Sequence, residues 1–305
     1  MTGARVLITG AGGFVGSALA SGFASLGHQV TALDIRFDTA ARARLANVEL
    51  VEANLATHDA VLRDLRAPRI IIHAAALTTN PAALGMTDAE HVTANMLPLL
   101  AMLRHAGRVR PDAFVFLSSS GVFEQGDGSP DLTDADQPTA MGPYSAAKRA
   151  GETLVPGALT GVCQTHILRL GYLYGPHEVS RSTRARVSML QTWVDGARAG
   201  LPIALGETNA RRDWTYAPDL APALARLVQG PGQTCPVHLG SPVIVRDRDL
   251  AAAIARRFPA TEIRTIPAHA TKAPMIPSRL AALEGFAWTG IEAGLDAVCQ
   301  ISVLA

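Results

Sequence analysis

Short apolar runs and longer amphipathic ones alternate along the first half of the chain. The apolar runs are Arg5–Thr9, Gln29–Asp34, Val48–Glu52, Arg69–His73 and Ala113–Ser118. They are brief and rich in Val, Ile and Leu, as strands of a parallel sheet covered on both faces must be. Between them Phe14–Leu26, Thr39–Leu45, His58–Leu65 and Asp88–Ala106 carry helical periodicity, and Ala140–Leu154 follows the fifth run in the same manner. Strand and helix alternating this often predict an α/β fold, a Rossmann-type doubly wound parallel sheet that gathers its ligands at the carboxyl ends of the strands.

The rhythm changes after Val162–Leu170, the sixth expected strand. Gly171–Arg212 reads as a turn at Tyr174-Gly175-Pro176, an arginine-bearing polar stretch and a helix near Val187–Ala199. Pro218–Val228 (helix) and Pro236–Leu239 (strand) return to the sheet; Arg248–Arg257, Glu262–Ile266 and a final helical pair follow. The expected organisation is a cofactor domain of residues 1–170 plus about 214–244, with a smaller, discontinuous C-terminal α/β substrate lobe of about 171–213 and 245–305.

Composition narrows the class without naming an activity. The 305 residues are 48% hydrophobic and 17% charged, far from the composition of disordered chains. Lys plus Arg (27) nearly balance Asp plus Glu (26), so the basic excess of a nucleic-acid binder is missing. Cys163, Cys235 and Cys299 stand far apart and suggest neither a disulfide framework nor a metal site. No apolar run approaches the roughly 20 residues of a membrane-spanning helix, and the start lacks a signal-peptide pattern. A soluble cytoplasmic protein is expected.

Two motifs supply chemistry. Thr9-Gly10-Ala11-Gly12-Gly13-Phe14-Val15-Gly16 closes the first strand and opens the first helix. Gly10 permits the tight turn, Gly13 lets backbone approach a pyrophosphate, and Gly16 lets helix pack on strand at a helix N-terminus that favours anions. Asp34 ends the second strand, where a carboxylate accepts hydrogen bonds from the adenine ribose and repels a 2′-phosphate, favouring NAD over NADP; Arg36 lies two residues on. Pro143-Tyr144-Ser145-Ala146-Ala147-Lys148 places a phenol and an ammonium on one helix face. The ammonium and an oxidised nicotinamide both favour the phenolate. Before it, an apolar strand runs into Ser118, Ser119 and Ser120, hydroxyls able to hold a substrate oxygen.

These elements, with His73-Ala74-Ala75-Ala76, Asn95, Arg169…Tyr174-Gly175-Pro176 and Arg212-Asp213-Trp214-Thr215-Tyr216…Asp219, stand in one order along the chain. The sequence resembles an extended short-chain dehydrogenase/reductase of the NAD-dependent epimerase/dehydratase branch. That resemblance implies Ser119, Tyr144 and Lys148 as catalytic residues. It implies cofactor contacts from Gly10, Gly12, Gly13, Phe14, Val15 and Gly16, and from Asp34, Ile35, Arg36, Asn54 and Leu55. His73, Ala74, Ala75, Ala76, Asn95, Tyr144, Lys148 and Leu170 would complete the cofactor set. His73 reads more readily as a half-buried strand-end histidine than as a catalytic one. Substrate contacts fall to Thr78, Ser119, Ser120, Tyr172, Arg181 and Arg212, and no metal is implied.

Four departures bear on substrate. Asn54 stands where the family has an aspartate, Phe123-Glu124 replaces Tyr-Gly, and Tyr172 stands where nucleotide-sugar enzymes carry Asn. Their C-terminal arginine for the diphosphate has no counterpart in Ile266-Pro267-Ala268-His269-Ala270-Thr271-Lys272-Ala273-Pro274. With Arg181, Arg184, Arg186, Arg211 and Arg212 between the lobes, the expected substrate is anionic and smaller than a nucleotide sugar, such as a sugar acid. Three functions follow: a dehydrogenase of a sugar or sugar acid, a nucleotide-sugar epimerase that recycles NAD in place, or an NAD-binding protein without turnover. A dehydratase of the dTDP-glucose type fits least, because no Asp-Glu follows Ser119. A homodimer is expected through Asp88–Ala106 and Ala140–Leu154, with Met96, Leu97, Leu99, Leu100, Met102 and Leu103 as an apolar face.

Overall fold

The computed structural model describes residues 3–181, 184–233, 235–267 and 271–300. In chain order its strands are β1 (Arg5–Thr9), β2 (Gln29–Asp34), β3 (Glu49–Glu52), β4 (Ile70–His73), β5 (Ala113–Ser119), β6 (Gln164–Leu170) and β7 (Tyr172–Tyr174). They continue as β8 (Ile203–Gly206), β9 (Arg211–Arg212), β10 (Trp214–Tyr216), β11 (Val237–Leu239), β12 (Val245–Arg246) and β13 (Ile263–Ile266). The helices are α1 (Phe14–Ser25), α2 (Thr39–Arg44), α3 (Asp88–Val109), α4 (Pro143–Leu159), α5 (Met189–Arg198), α6 (Leu220–Leu227), α7 (Asp247–Arg257) and α8 (Ile291–Gln300).

Seven strands form one sheet in the order β11-β6-β5-β4-β1-β2-β3, and every pairing in it is parallel. The order reverses between β1 and β4, which opens a crevice at their carboxyl ends. Alternation along each strand explains the two layers. Val6, Ile8, Ile70, Ile72, Val115 and Leu117 point to the face covered by α1 and α6. Leu7, Ile71, Phe114 and Phe116 point to the opposite face, under α3 and α4. The Rossmann-type doubly wound sheet expected from the sequence is therefore the observed fold.

A third apolar core holds the C-terminal part together: Leu190, Trp193 and Val194 of α5, Leu250 and Ile254 of α7, and Leu295 of α8 close around Ile203, Leu205 and Trp214. The pair β8 and β13 lies beside it, in parallel register from Ile203↔Ile263 to Gly206↔Ile266.

Several expected elements differ. His58–Leu65 forms only a 3-10 turn at Asp59–Arg63, because Leu62 alone in it is buried and Pro68 follows closely. The helix expected from Ala140 begins at Pro143, whose fixed φ suits the first helical position, and runs to Leu159. The stretch after Gly171 is a strand, β7, in parallel register with β10. In place of a final helical pair there is a 3-10 turn at Ala281–Leu283, stopped at left-handed Gly285, followed by α8. On α3, Leu99, Met102 and Leu103 pack inward, Met96 and Leu100 are half-buried, and Leu97 is exposed. No helix among the described residues is long and apolar enough to cross a membrane.

Candidate active site

Thr9, Asp34, His73, Ser119 and Leu170 end strands β1, β2, β4, β5 and β6, so the sheet delivers all five to one edge. Between β1 and α1, Gly10 is left-handed (φ 69), and a Cβ there would stand 2.6 Å from the Ala75 backbone. A Cβ on Gly16 would strike the Gly10 carbonyl, so α1 sits directly on the loop. Gly13 caps α1 with no side-chain acceptor and no acidic residue in the first turn. The N–H groups of Phe14, Val15 and Gly16 have no acceptor within their own helix. Above Gly13 a Cβ would meet only the Gly10 carbonyl, at 3.2 Å, which leaves a cradle open to an anion.

The Asp34 carboxylate accepts the Gly12 N–H at 2.8 Å and the Arg36 N–H at 3.4 Å, fixing it at the end of the glycine loop. Burial raises its pKa, against the pull of those N–H groups and Arg181. Ile35 and Arg36 are exposed beyond it. Asn54 accepts from the Ala56 N–H at 3.0 Å, and neighbouring Leu55 is buried. A dinucleotide fits this edge: cradle and helix N-terminus suit the pyrophosphate, and Asp34 the adenine ribose.

His73 lies in the floor, Nδ1 2.9 Å from Thr9 Oγ1 and its ring stacked on Phe116. Burial, then the charge of Lys148, pushes its pKa down to about 3, so it is a neutral structural group. Ala74, Ala75 and Ala76 run half-buried beside the glycine loop. Asn95 of α3 braces them, accepting the Leu77 N–H at 2.9 Å and donating to the Leu77 and His91 carbonyls. Thr78 is exposed just beyond, and Leu170 is buried in register with Ser119. A small cleft is lined by His73, Ala75, Asn95, Leu99, Phe116, Ala147 and Lys148.

The Tyr144 ring and Ser119 Oγ meet beside Gly121, where Ser119 acts on the phenol, and Ser119 Oγ accepts the Gly121 N–H at 3.0 Å. Ser145 Oγ donates to the Gly121 carbonyl at 2.7 Å, tying the start of α4 to the turn after β5. Lys148, one turn along α4, donates to the Leu117 carbonyl at 2.7 Å, with Nζ 5.8 Å from the Tyr144 ring centre. Burial lowers Lys148 to about 8, against the support of Glu152. Burial raises the Tyr144 phenol; Ser119 and the charge of Arg184 oppose it. Arg184 also lies over the Phe14 ring, 5.3 Å from its centre, so it stands between the glycine loop and the tyrosine.

Beneath these groups Arg169 grips Glu152 through two hydrogen bonds of 2.8 Å, and Ser118 Oγ donates to the same carboxylate at 2.6 Å. Ser118 and Ser120 are buried; Ser119 between them faces the cleft half-exposed.

The arginines expected to meet substrate are paired within the protein. Arg181 binds Asp38 at 2.6 Å beside α2, on the Asp34 side of the cleft. Arg212 holds Asp247 bidentately at 2.7 and 2.9 Å and stacks on Tyr172, 4.9 Å from its ring centre. Arg184 pairs with buried Glu178 and Arg211 with Asp131. Two groups escaped the sequence reading. Lys272 donates to the Ser120 carbonyl at 2.6 Å, and Asp213 is buried with its carboxyl pushed up to about 7, chiefly by desolvation. No local pattern marks Lys272, because a loop remote in sequence brings it here; Ala268, His269 and Ala270 before it lie outside the described residues. No group of His, Cys, Asp or Glu among the described residues could hold a metal ion.

A family model described as the NAD dependent epimerase/dehydratase family matches residues 6–236. A probable UDP-glucuronate 4-epimerase of Rhizobium meliloti (strain 1021) is 29% identical over 243 residues, 74% of this chain and 69% of that one. A 2-alkyl-3-oxoalkanoate reductase of Stenotrophomonas maltophilia (strain K279a) is 27% identical over 240 residues, 76% of this chain and 68% of its own. Among solved structures, an epimerase from Methanothermobacter thermautotrophicus superposes with a TM-score of 0.82 at 23% identity, covering 98% of this chain and 91% of the other. That last likeness concerns the fold.

Proposed function

Since the chain belongs to the NAD dependent epimerase/dehydratase family, and so to the NAD-dependent enzymes of short-chain dehydrogenase/reductase type, we propose that it oxidises a secondary alcohol of a sugar or sugar acid with Tyr144 as base. The observation that carries this reading is the juxtaposition of Ser119 and Tyr144 beside Gly121 at the carboxyl edge of the sheet, with Lys148 on the same helix face. Ser119 holds the substrate oxygen, and Tyr144 takes the hydroxyl proton. Bound NAD supplies the acceptor for the hydrogen and electron pair that leave the carbinol carbon. Lys148 orients the nicotinamide ribose and stabilises the phenolate by its charge. Arg184, over the Phe14 ring and paired with Glu178, adds a weaker positive influence on the phenol.

The cofactor is held by residues 1–170 plus about 214–244, and the substrate by about 171–213 and 245–305. Among the residues carried into this reading, Thr78, Ser120 and Tyr172 line the substrate side. Arg181 and Arg212 shape that side through their carboxylate partners, Asp38 and Asp247.

A second reading, a nucleotide-sugar epimerase that returns the hydrogen to the other face, is favoured by the UDP-glucuronate 4-epimerase relative. NADH formation, with NAD supplied, across aldonic and uronic acids, free sugars and nucleotide sugars separates the two. Stoichiometric NADH on an acid or sugar supports the dehydrogenase; inversion of a nucleotide sugar without NADH supports the epimerase. We further propose a cytoplasmic homodimer joined through the outer faces of α3 and α4, where Leu97 and Leu154 are exposed. A monomeric mass in light scattering at micromolar concentration would count against the pairing.

A further inference from the structure

We propose that Lys272 is the anion-binding residue of the substrate pocket, and that its single ammonium selects a monocarboxylate, a sugar acid or related hydroxy acid, over a diphosphate. The inference rests on the dehydrogenase reading above and names its substrate class.

Position comes first. Lys272 Nζ donates to the carbonyl of Ser120, the residue after Ser119. Gly121, next in the chain, packs against the Tyr144 ring. On its other side Lys272 feels the charges of Asp213, Glu124 and Arg212, and Arg212 carries Tyr172 against its guanidinium. Segments from β5, β7, β9 and the loop of Lys272 therefore come together next to Ser119 and Tyr144.

The loop is held rigidly. Leu132 N–H donates to the Pro274 carbonyl at 2.8 Å, and Ile276 N–H to the Leu132 carbonyl at 2.8 Å. The Met275 backbone lies close enough to the buried Asp213 carboxyl to oppose the rise in its pKa. Met275 also packs with Val122, Phe123 and Leu132 in an apolar cluster. A cation presented on such a frame loses little freedom when it binds a ligand.

Charge then decides which anion fits. Each arginine bordering this meeting point has its own carboxylate: Arg212 has Asp247, Arg211 has Asp131 and Arg184 has Glu178. Lys272 forms no ion pair among the described residues, and its one hydrogen bond there is to a neutral carbonyl. Of the ammonium's three donors, two remain for a ligand. Of the two carboxyls whose charge reaches Lys272, Asp213 is pushed up to about 7 and carries only part of a charge at neutral pH, and Glu124 is exposed to solvent that screens it. The pocket thus offers at most one uncompensated positive charge. A carboxylate needs one; a diphosphate brings two or more and would leave charge buried without a partner.

The test measures kcat and KM for NADH formation with D-glucuronate and with D-glucose as charged and uncharged probes. Wild type, Lys272→Met, Lys272→Gln and Lys272→Arg are compared, with NADH titration confirming that each variant folds. The expected result is a wild type that prefers the hexuronate, and a loss of that preference in the Met and Gln variants. The ratio of kcat/KM values should fall about 10- to 100-fold, the scale of a charge-assisted hydrogen bond, mainly through KM. Arg should restore most of it. An unchanged ratio in the Met and Gln variants of a hexuronate-preferring enzyme overturns the role of Lys272 and leaves the dehydrogenase reading standing. A wild type without that preference, or one that acts only on a nucleotide sugar, overturns the carboxylate inference; in the second case the dehydrogenase reading falls with it.

Discussion

Glu152→Gln is the change with the most consequences below the site. The side chains of Arg169 and Glu152 are 6% and 7% exposed, so the pair is screened from water. Two N–H groups of Arg169 and the hydroxyl of Ser118 donate to this one carboxylate. An amide offers a single acceptor oxygen and turns an N–H₂ toward the guanidinium, which is left charged and buried. Breaking such a pair from one side costs about 3–5 kcal/mol. For a chain of 305 residues the unfolding entropy is about 0.6 kcal/mol/K, so the midpoint should fall by about 5–8 °C. Replacing both partners, as in Glu152→Met with Arg169→Met, removes the stranded charge and should cost much less than the two single changes added. The carboxylate also supports the Lys148 ammonium, which burial holds near 8. Glu152→Gln should therefore move the alkaline limb of the pH–rate profile to lower pH. Differential scanning fluorimetry on Glu152→Gln and on the four proteins of the Met cycle, with pH–rate profiles on the folded ones, reads both effects. An unchanged midpoint in Glu152→Gln, or strict additivity in the double variant, would refute the argument that buried charge governs this contact.

Three further outcomes follow from named atoms. Tyr144→Phe keeps the ring but removes the hydroxyl beside Ser119, so turnover should fall at least about 100-fold while NADH binding persists; a fully active variant would sink the assignment. Asp34→Ser removes the carboxylate fixed by the Gly12 N–H, and should lower the preference for NAD over NADP by at least tenfold on the order-of-magnitude scale of one buried charge; unaltered discrimination in cofactor titrations would show that another group rejects the 2′-phosphate. Asp213, raised from 3.8 to about 7, keeps in the folded state a proton that the unfolded chain releases, so its contribution to stability is lost as pH rises from about 4 through about 7. Asn cannot ionise, so the midpoint of Asp213→Asn relative to wild type should rise between pH 5 and pH 8. A pH-independent difference would place the strain elsewhere.

The sheet was legible because its strands are buried on both faces. A run such as Arg69–His73 or Ala113–Ser118 can hardly sit anywhere but inside a covered parallel sheet, and its polar end residue then falls at the crevice. The glycine loop was legible for a steric reason: Gly10 and Gly16 occupy places where a Cβ meets backbone. Segments stabilised by few contacts were misread. At Asp59–Arg63 one buried leucine sustains a single turn, and after Leu170 the strand β7 went unread, just before the expected turn at Tyr174-Gly175-Pro176, because it finds β10 from far along the chain. Periodicity cannot report either outcome, since both depend on tertiary contacts.

The substrate side was least legible because a sequence displays charges without their partners. Arg181, Arg184, Arg186, Arg211 and Arg212 read together as an anion site, yet in the fold Arg181, Arg184, Arg211 and Arg212 each meet a carboxylate: Asp38, Glu178, Asp131 and Asp247. A paired guanidinium has spent much of its attraction, and separating it to bind a ligand strands the carboxylate it leaves. The useful cation is the one whose neighbours do not neutralise it. By that criterion Lys272, bonded to a carbonyl and flanked by a carboxyl that burial keeps partly protonated, outranks the four paired arginines of the cluster. Its selection depends on the burial of Asp213 as much as on its own charge: an aspartate exposed at that position would ionise, pair with the ammonium and remove the site's attraction for an anion.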